Sequence, residues 1–312
     1  MRVRKLLAYS LAVVLGLATT NRVIRFQAGR LGPPLSGMER TYEWRGFDVS
    51  YAEAGDPTDP TVVLLHSVHA AGTAAEFRKI FESIAEDYHV IAPELLGYGR
   101  SDRPPIAYEG SLYERLISDF LSDVTESPIV VASSLTGGYA AAAAQTVDVE
   151  DLVLISPTDT VAKRRLSVRE LLRAPILGTA FFNALVSRPS LRYYDRKEGF
   201  TDPGAIDESL VEYQWRTSHQ ENARYAPASF LSGYLNATVD LESALPEVDS
   251  PVTLVWGEAA KRPPLSYGRE LAERGDTRLV TIEDAKLLPH YQHPEAFLSA
   301  LAPTLARLGD IR

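Results

Sequence analysis

The sequence has no cysteine. Disulfides are therefore excluded, and so are thiolate metal sites and cysteine redox chemistry. Its six histidines include no H-x-x-x-H pair of the kind that puts two imidazoles on one helix face. His290 and His293 are three apart but straddle a loop-to-helix junction before Pro294, so no metal site is expected. Positive charge is also short. Basic residues number 32 against 41 acidic ones, a net charge of -9, and nucleic-acid binding needs the reverse. The uncharged stretch Leu6–Asn21 is 16 residues long, short of the roughly 20 of a spanning helix.

That stretch follows Arg2, Arg4 and Lys5 and precedes Arg22, Arg25 and Arg30, so flanking charge sets no orientation. Three readings fit it: an uncleaved membrane anchor, a signal peptide with a poor cleavage site at Ala18-Thr19-Thr20, or an apolar helix docked on the domain. Gly29 to Gly37, with Pro33 and Pro34, reads as a linker.

What is present is ordinary globular composition, 45% apolar and 23% charged, in 312 residues. That length holds one large α/β domain with an insert, or two domains. Thr41–Trp44 and Phe47–Glu53 alternate around Arg45-Gly46 as a hairpin-like pair. Val62–Leu65, His89–Ala92, Ile129–Val131 and Leu152–Ile155 are short continuous apolar runs of the buried parallel-strand kind. Helical spacing separates them, over Thr73–Glu86 and Leu112–Val124. Strand-helix alternation predicts a parallel sheet. It stops after Pro157, turns helical from about Val161 to Pro246, and returns with Val252–Trp256, Ser266–Arg274, Arg278–Ile282 and Pro294–Leu308.

The chain is organised around residues 130–139. A buried strand runs into Ala132-Ser133-Ser134-Leu135-Thr136, and Gly137, Gly138 and Ala140–Ala144 then read as a tightly packed helix. A serine at such a strand-to-helix turn is the layout of a nucleophile elbow, G-x-S-x-G, with small residues two before and two after the serine. Ser134 takes the nucleophile slot. Ala132 is small enough, Thr136 is β-branched, and neither is the glycine of the pattern.

The motifs in order resemble the α/β-hydrolase superfamily from about Tyr42 to the C-terminus. Val62-Val63-Leu64-Leu65-His66 is similar to the strand before the family's His-Gly oxyanion loop, with Ser67 at the glycine. Pro93-Glu94-Leu95-Leu96-Gly97-Tyr98-Gly99-Arg100-Ser101 is similar to its Pro-Asp-x-x-Gly-x-Gly-x-Ser stretch. Leu254-Val255-Trp256-Gly257 resembles the strand before the catalytic acid. Leu288-Pro289-His290 through His293-Pro294-Glu295 resembles the segment that follows the catalytic histidine. The fold this implies is a mostly parallel sheet with helices on both faces and a helical cap inserted after the strand ending near Ile155. Its segments would be 1–40 (apolar helix and linker), 41–158 (core), 159–246 (cap) and 247–312 (core).

The resemblance also says what should be in the site. The acid three residues after Gly257 falls on Ala260, and the histidine two before Pro289 falls on Leu287. Neither side chain can move a proton. Backbone N–H groups of Val68 and Leu135 would form the oxyanion hole. Substitutes for the missing groups are His290, three past the vacant slot, His69 in the oxyanion loop, and Asp159, after a strand where some members carry the acid. Lys286 beside the vacant slot is a remoter one, His66 should brace the oxyanion loop, and His219 should lie on the surface of the insert. Aromatic residues of the insert, such as Tyr193, Trp215 and Tyr234, would line an apolar pocket or simply pack the cap.

Three functions follow. The favoured one is a degenerate hydrolase, weak or inactive, that binds a small apolar or ester-like molecule without a cofactor, metal or nucleic acid. The second is an active serine ester hydrolase or related lyase with a relay rebuilt from His290 or His69 and Asp159. The third is an interaction protein held at a membrane by residues 6–20. Localisation is accordingly membrane-associated or cytoplasmic.

Overall fold

The computed structural model describes the backbone of residues 2–309 and side chains from Tyr9 to Arg307. The ends of the expected segments 1–40 and 247–312 lie outside the described residues. Eight strands form one sheet: β1 (Met38–Trp44), β2 (Phe47–Ala54), β3 (Thr61–Leu65), β4 (His89–Pro93), β5 (Ile129–Ser133), β6 (Asp151–Ile155), β7 (Val252–Gly257) and β8 (Arg278–Ile282). Their order is β1-β2-β4-β3-β5-β6-β7-β8. The pairs β1–β2 and β2–β4 are antiparallel and the others parallel.

Strands β3 to β7 are mostly apolar because both faces are covered. Val63, Leu65, Val130, Ala132, Leu152 and Leu154 point to one layer, with α3 (Gly110–Val124) and α4 (Thr136–Ala144). Val62, Leu64, Ile129, Val131, Val153 and Ile155 point to the other, with α13 (Pro294–Gly309). Two-residue periodicity thus sorts each strand between two cores. Each fully buried Val, Leu or Phe contributes about 1.5–3 kcal/mol. The helical spacing of Thr73–Glu86 produces two short pieces, a 3₁₀ turn at Ala74–Phe77 and α2 (Phe81–Ala85), instead of one helix.

Between β6 and β7 lie α5 (Leu166–Arg173), α6 (Leu177–Leu185), α7 (Arg188–Tyr194), a short π-helical turn (Asp195–Gly199), α8 (Glu208–Ser218), α9 (Tyr225–Leu231) and α10 (Leu241–Ala244). After β7 come α11 (Leu265–Gly275) and α12 (Pro289–Gln292). This insert has its own apolar cluster, with Leu172, Phe182, Val211 and Trp215.

Helix α1 (Arg2–Ala28) is 27 residues long, about 40 Å at 1.5 Å per residue. Its last third docks. Ala28 is buried and Ile24 packs on the insert cluster. Asn21 donates to the Ile176 carbonyl (2.9 Å) and accepts from Asn183 (3.0 Å). Ahead of Asn21 it projects, and Tyr9, Leu11, Val13 and Leu15 are 58–71% exposed. An apolar helix docked along its length does not describe it. Among the described residues no helix is long and apolar enough to cross a membrane.

Candidate active site

Ser134 follows β5 directly and precedes α4 by one residue. Its φ is +55°, a left-handed conformation that costs a non-glycine residue about 1–3 kcal/mol and clusters at functional sites. The turn is held by Ser134 N donating to Ile155 O (2.9 Å), and by Gly137 N (3.0 Å) and Thr158 N (3.2 Å) donating to Ser134 O. The place of threonine at position 136 has a physical reason. Its hydroxyl donates to the His66 carbonyl (2.7 Å) and ties the elbow to the end of β3. A Cβ on Gly137 would stand 2.8 Å from Pro157 Cβ, at the end of β6. Gly138 faces the insert and not the sheet. Its neighbours are Ala237 Cβ and Thr158 O, both at 3.1 Å, so it admits the insert.

Val68 and Leu135 are buried, and no described group accepts from either N–H. Leu135 lies at the N-terminus of α4, where unpaired amides and the helix dipole favour a developing negative charge. The oxyanion loop is shaped by two buried carboxylates. Glu76 accepts from Ser67 N (3.2 Å to each oxygen) and from Ser67 Oγ (2.5 Å). Glu94 accepts from Thr73 Oγ1 (2.7 Å) and Arg100 N (2.7 Å), and the Ser101 hydroxyl donates to the Glu94 carbonyl. Burial pushes Glu76 up to about 7, although the Ser67 and Ser133 hydroxyls favour its charged form. Glu94 is raised by burial too. Nothing in the sequence singled out Glu76. The signal available was Ser67 itself, a polar side chain in a glycine's place that needs a partner once buried.

His66 braces the loop. Its Nδ1 faces Ser67 O (2.9 Å) and its Nε2 accepts from Leu95 N (3.0 Å), which makes Nδ1 the protonated nitrogen.

The substitutes do not converge on Ser134, whose hydroxyl has no hydrogen-bond partner among the described residues. His290 is wholly buried, with Nε2 3.7 Å from Glu76 Oε1 and its ring packed between Phe77 and Phe297. Among the described residues neither ring nitrogen has a hydrogen-bond partner, and burial holds it down at about 3, a poor proton acceptor. His69 is partly buried, and its Nδ1 accepts from Ala71 N (3.2 Å) inside its own loop. Asp159 accepts from Leu241 N (2.9 Å) and Tyr267 OH (3.4 Å), and so fixes the start of α10. Lys286 donates to the carbonyls of Arg196 and Phe200, both at 2.7 Å. His219 is buried, against the surface position expected, with Nδ1 on the Trp215 carbonyl (2.6 Å) and its ring over Trp215. Of the residues expected at the acid and histidine positions, Ala260 is buried in the core and Leu287 is partly buried against it, with Leu287 N on the Glu198 carbonyl (3.2 Å).

A crevice of only about 10 Å³ borders the oxyanion loop, between Ala70–Gly72, Tyr98 and the insert residues Thr217, Ser218 and Pro227. A much larger cleft, about 1060 Å³, lies elsewhere, between α1 and the insert, with Arg22, Arg25, Phe26 and Arg224 on its walls.

Sheet order and elbow define an α/β-hydrolase fold. The model of the Alpha/beta hydrolase family matches residues 62–300, and the chain belongs to that family. Among curated proteins it is similar to 2-hydroxy-6-oxo-6-(2'-aminophenyl)hexa-2,4-dienoic acid hydrolase of Metapseudomonas resinovorans. The two are 23% identical over 88% of this chain and 93% of the relative. Among solved structures it is similar to a serine hydrolase involved in carbazole degradation, with TM-score 0.71 and 20% identity over 89% of this chain and 100% of the other. A membrane phospholipase A aligns with TM-score 0.66 and 20% identity, over 97% of this chain and 99% of that one. At these identities the structural likeness concerns the fold.

Proposed function

We propose that this member of the family is at most a feeble hydrolase, whose site binds a small apolar molecule through a carbonyl or carboxylate oxygen. The observation that carries the reading is the Ser134 hydroxyl, which has no hydrogen-bond partner among the described residues; the sequence spacing that puts Leu287 at the family's histidine position supports it. Without a base the serine keeps an alcohol's high pKa and attacks slowly. The free N–H groups of Val68 and Leu135 are suited to an oxygen acceptor whether or not turnover follows. The relatives named as hydrolases and a phospholipase favour an acyl or ketone-like ligand. The narrow crevice means that the insert, as a cap, moves to admit it.

Assayed on an activated ester, the protein should turn over slowly, at a rate little changed by Ser134→Ala. Losing triad members leaves about 10³–10⁴-fold catalysis over water from the remaining site. Fast stoichiometric labelling of Ser134 by a fluorophosphonate would overturn the reading in favour of a rebuilt relay.

A second reading, compatible with the first, is that α1 holds the protein at a membrane. Its motive is the exposure of Tyr9, Leu11, Val13 and Leu15 on a helix that leaves the domain. Cell fractionation of the full chain against one starting near Leu35 tests it, and equal recovery of both in the soluble fraction would count against it.

A further inference from the structure

We propose that the α5–α6 edge of the insert is a second membrane contact, which lies on an anionic phospholipid surface beside the point where α1 enters it. The proposal rests on the membrane reading of α1 and adds to it an orientation for the whole domain.

Three observations meet at this edge. The first is exposed apolar area: Leu166, Leu171, Leu177 and Phe181 are each 50–56% exposed, and Leu177 and Phe181, four apart, share a face of α6. Scattered surface leucines mean little, but a cluster marks an interaction site. The second is position. Asn21 is bonded to the Ile176 carbonyl, one residue before Leu177, so the projecting part of α1 leaves the domain at this same edge. The third is charge. The chain is -9 overall, yet residues 2–30 carry six basic and no acidic residues, and 161–173 carry five basic against Glu170 alone. Arg169 and Arg173 are turned onto the rings of Tyr234 and Tyr225, and Arg164 also lies over Tyr234 at 5.4 Å, but Lys163, Arg164 and Arg165 are all exposed directly ahead of Leu166. Arg22 and Arg25 stand at the foot of the projecting helix, the latter paired with Glu221.

Apolar side chains next to a local basic patch on an acidic protein are what an anionic interface selects. The apolar groups enter the acyl boundary, and the cations stay among the headgroups. A protein partner of acidic, apolar character is the rival occupant. It gives no reason for the patch to coincide with the exit of α1.

The test uses the full chain carrying Phe181→Trp, with vesicles of phosphatidylcholine alone or mixed with phosphatidylglycerol. The native tryptophans Trp44, Trp215 and Trp256 are all buried, so the introduced indole dominates quenching by lipid. On phosphatidylglycerol vesicles with brominated acyl chains, its fluorescence should be quenched. In the native background, Lys163→Glu with Arg164→Glu and Arg165→Glu should lower partition onto phosphatidylglycerol vesicles by at least about tenfold and leave the weaker binding to phosphatidylcholine unchanged. Bound protein with the introduced indole unquenched, or charge reversal without effect, would overturn the proposal and leave α1 as a tether alone. Failure of the full chain to bind either vesicle would overturn the anchor reading and this one together.

Discussion

The two sides of the oxyanion loop differ in kind. On its buried side, Ser67 is held by Glu76, Glu94 ties Thr73 to Arg100, and His66 locks Leu95 in place. On the side of Ser134, the serine hydroxyl has no hydrogen-bond partner among the described residues, and the expected acid and histidine positions are Ala260 and Leu287 on the reading proposed above. One side has kept, and even added to, its polar scaffolding. On the proposed reading, the other lacks proton-transferring groups at the expected places. The scaffold is needed for folding, because buried loops must satisfy their amides and the elbow must hold a strained serine. The proton-moving groups are needed only for turnover. If the proposed reading holds, this chain has dispensed with the second set and kept the first.

The largest effect that would sharpen this contrast is a gain. Leu287→His combined with Ala260→Asp should raise activated-ester hydrolysis by roughly ten- to a thousandfold, and Ser134→Ala in that background should abolish the gain. No gain would mean that the slots are occupied differently from the family's.

The buried side predicts a pH signature. Burial raises Glu76 from 4.5 to about 7 and lowers His290 from 6.5 to about 3. The Glu76 contribution to stability is fully present below its unfolded pKa and is lost as pH rises through 7. That of His290 runs the other way, present above 6.5 and lost as pH falls toward 3. Glu76→Gln keeps the shape and removes the first titration alone. From about pH 5 to about pH 8 the variant should therefore gain on the parent protein, by up to roughly 3 kcal/mol in denaturant melts. A constant difference would show that Glu76 is ionised throughout, and that its side of the loop is an ordinary anion site.

A smaller effect separates structural from catalytic carboxylates. Asp159→Asn should cost about 1 kcal/mol through the Leu241 and Tyr267 contacts and leave any residual esterase rate unchanged. A fall in that rate beyond the loss of folded protein would bring Asp159 back into a relay.

Much of the fold was legible because buried parallel strands are continuous apolar runs, and each of those proposed lies within a strand of the sheet. The elbow was legible from the strand-to-helix change around Ser134. What sequence spacing could not give was direction. His290 lies only three residues from the vacant slot, yet α12 turns it inward against Phe77. Thr73–Glu86 has a helix's periodicity, but Thr73 and Glu76 are drawn into the carboxylate network and the helix breaks. Asp159 has the right place in the chain, but its carboxylate is taken by a backbone amide of α10. In each case a non-local hydrogen bond or packing partner decided the outcome.

The anchoring of Lys286 has a mechanical consequence. Its ammonium holds the Arg196 and Phe200 carbonyls, while Leu287 N holds Glu198 and Gln292 Oε1 accepts from Thr201 N at 3.2 Å. Opposite, where the insert meets the oxyanion loop, the Ser218 hydroxyl reaches Ala70 O at 3.5 Å. The insert is thus fastened to the core by four hydrogen bonds around Lys286, and the Ser218–Ala70 contact at the crevice is long by comparison.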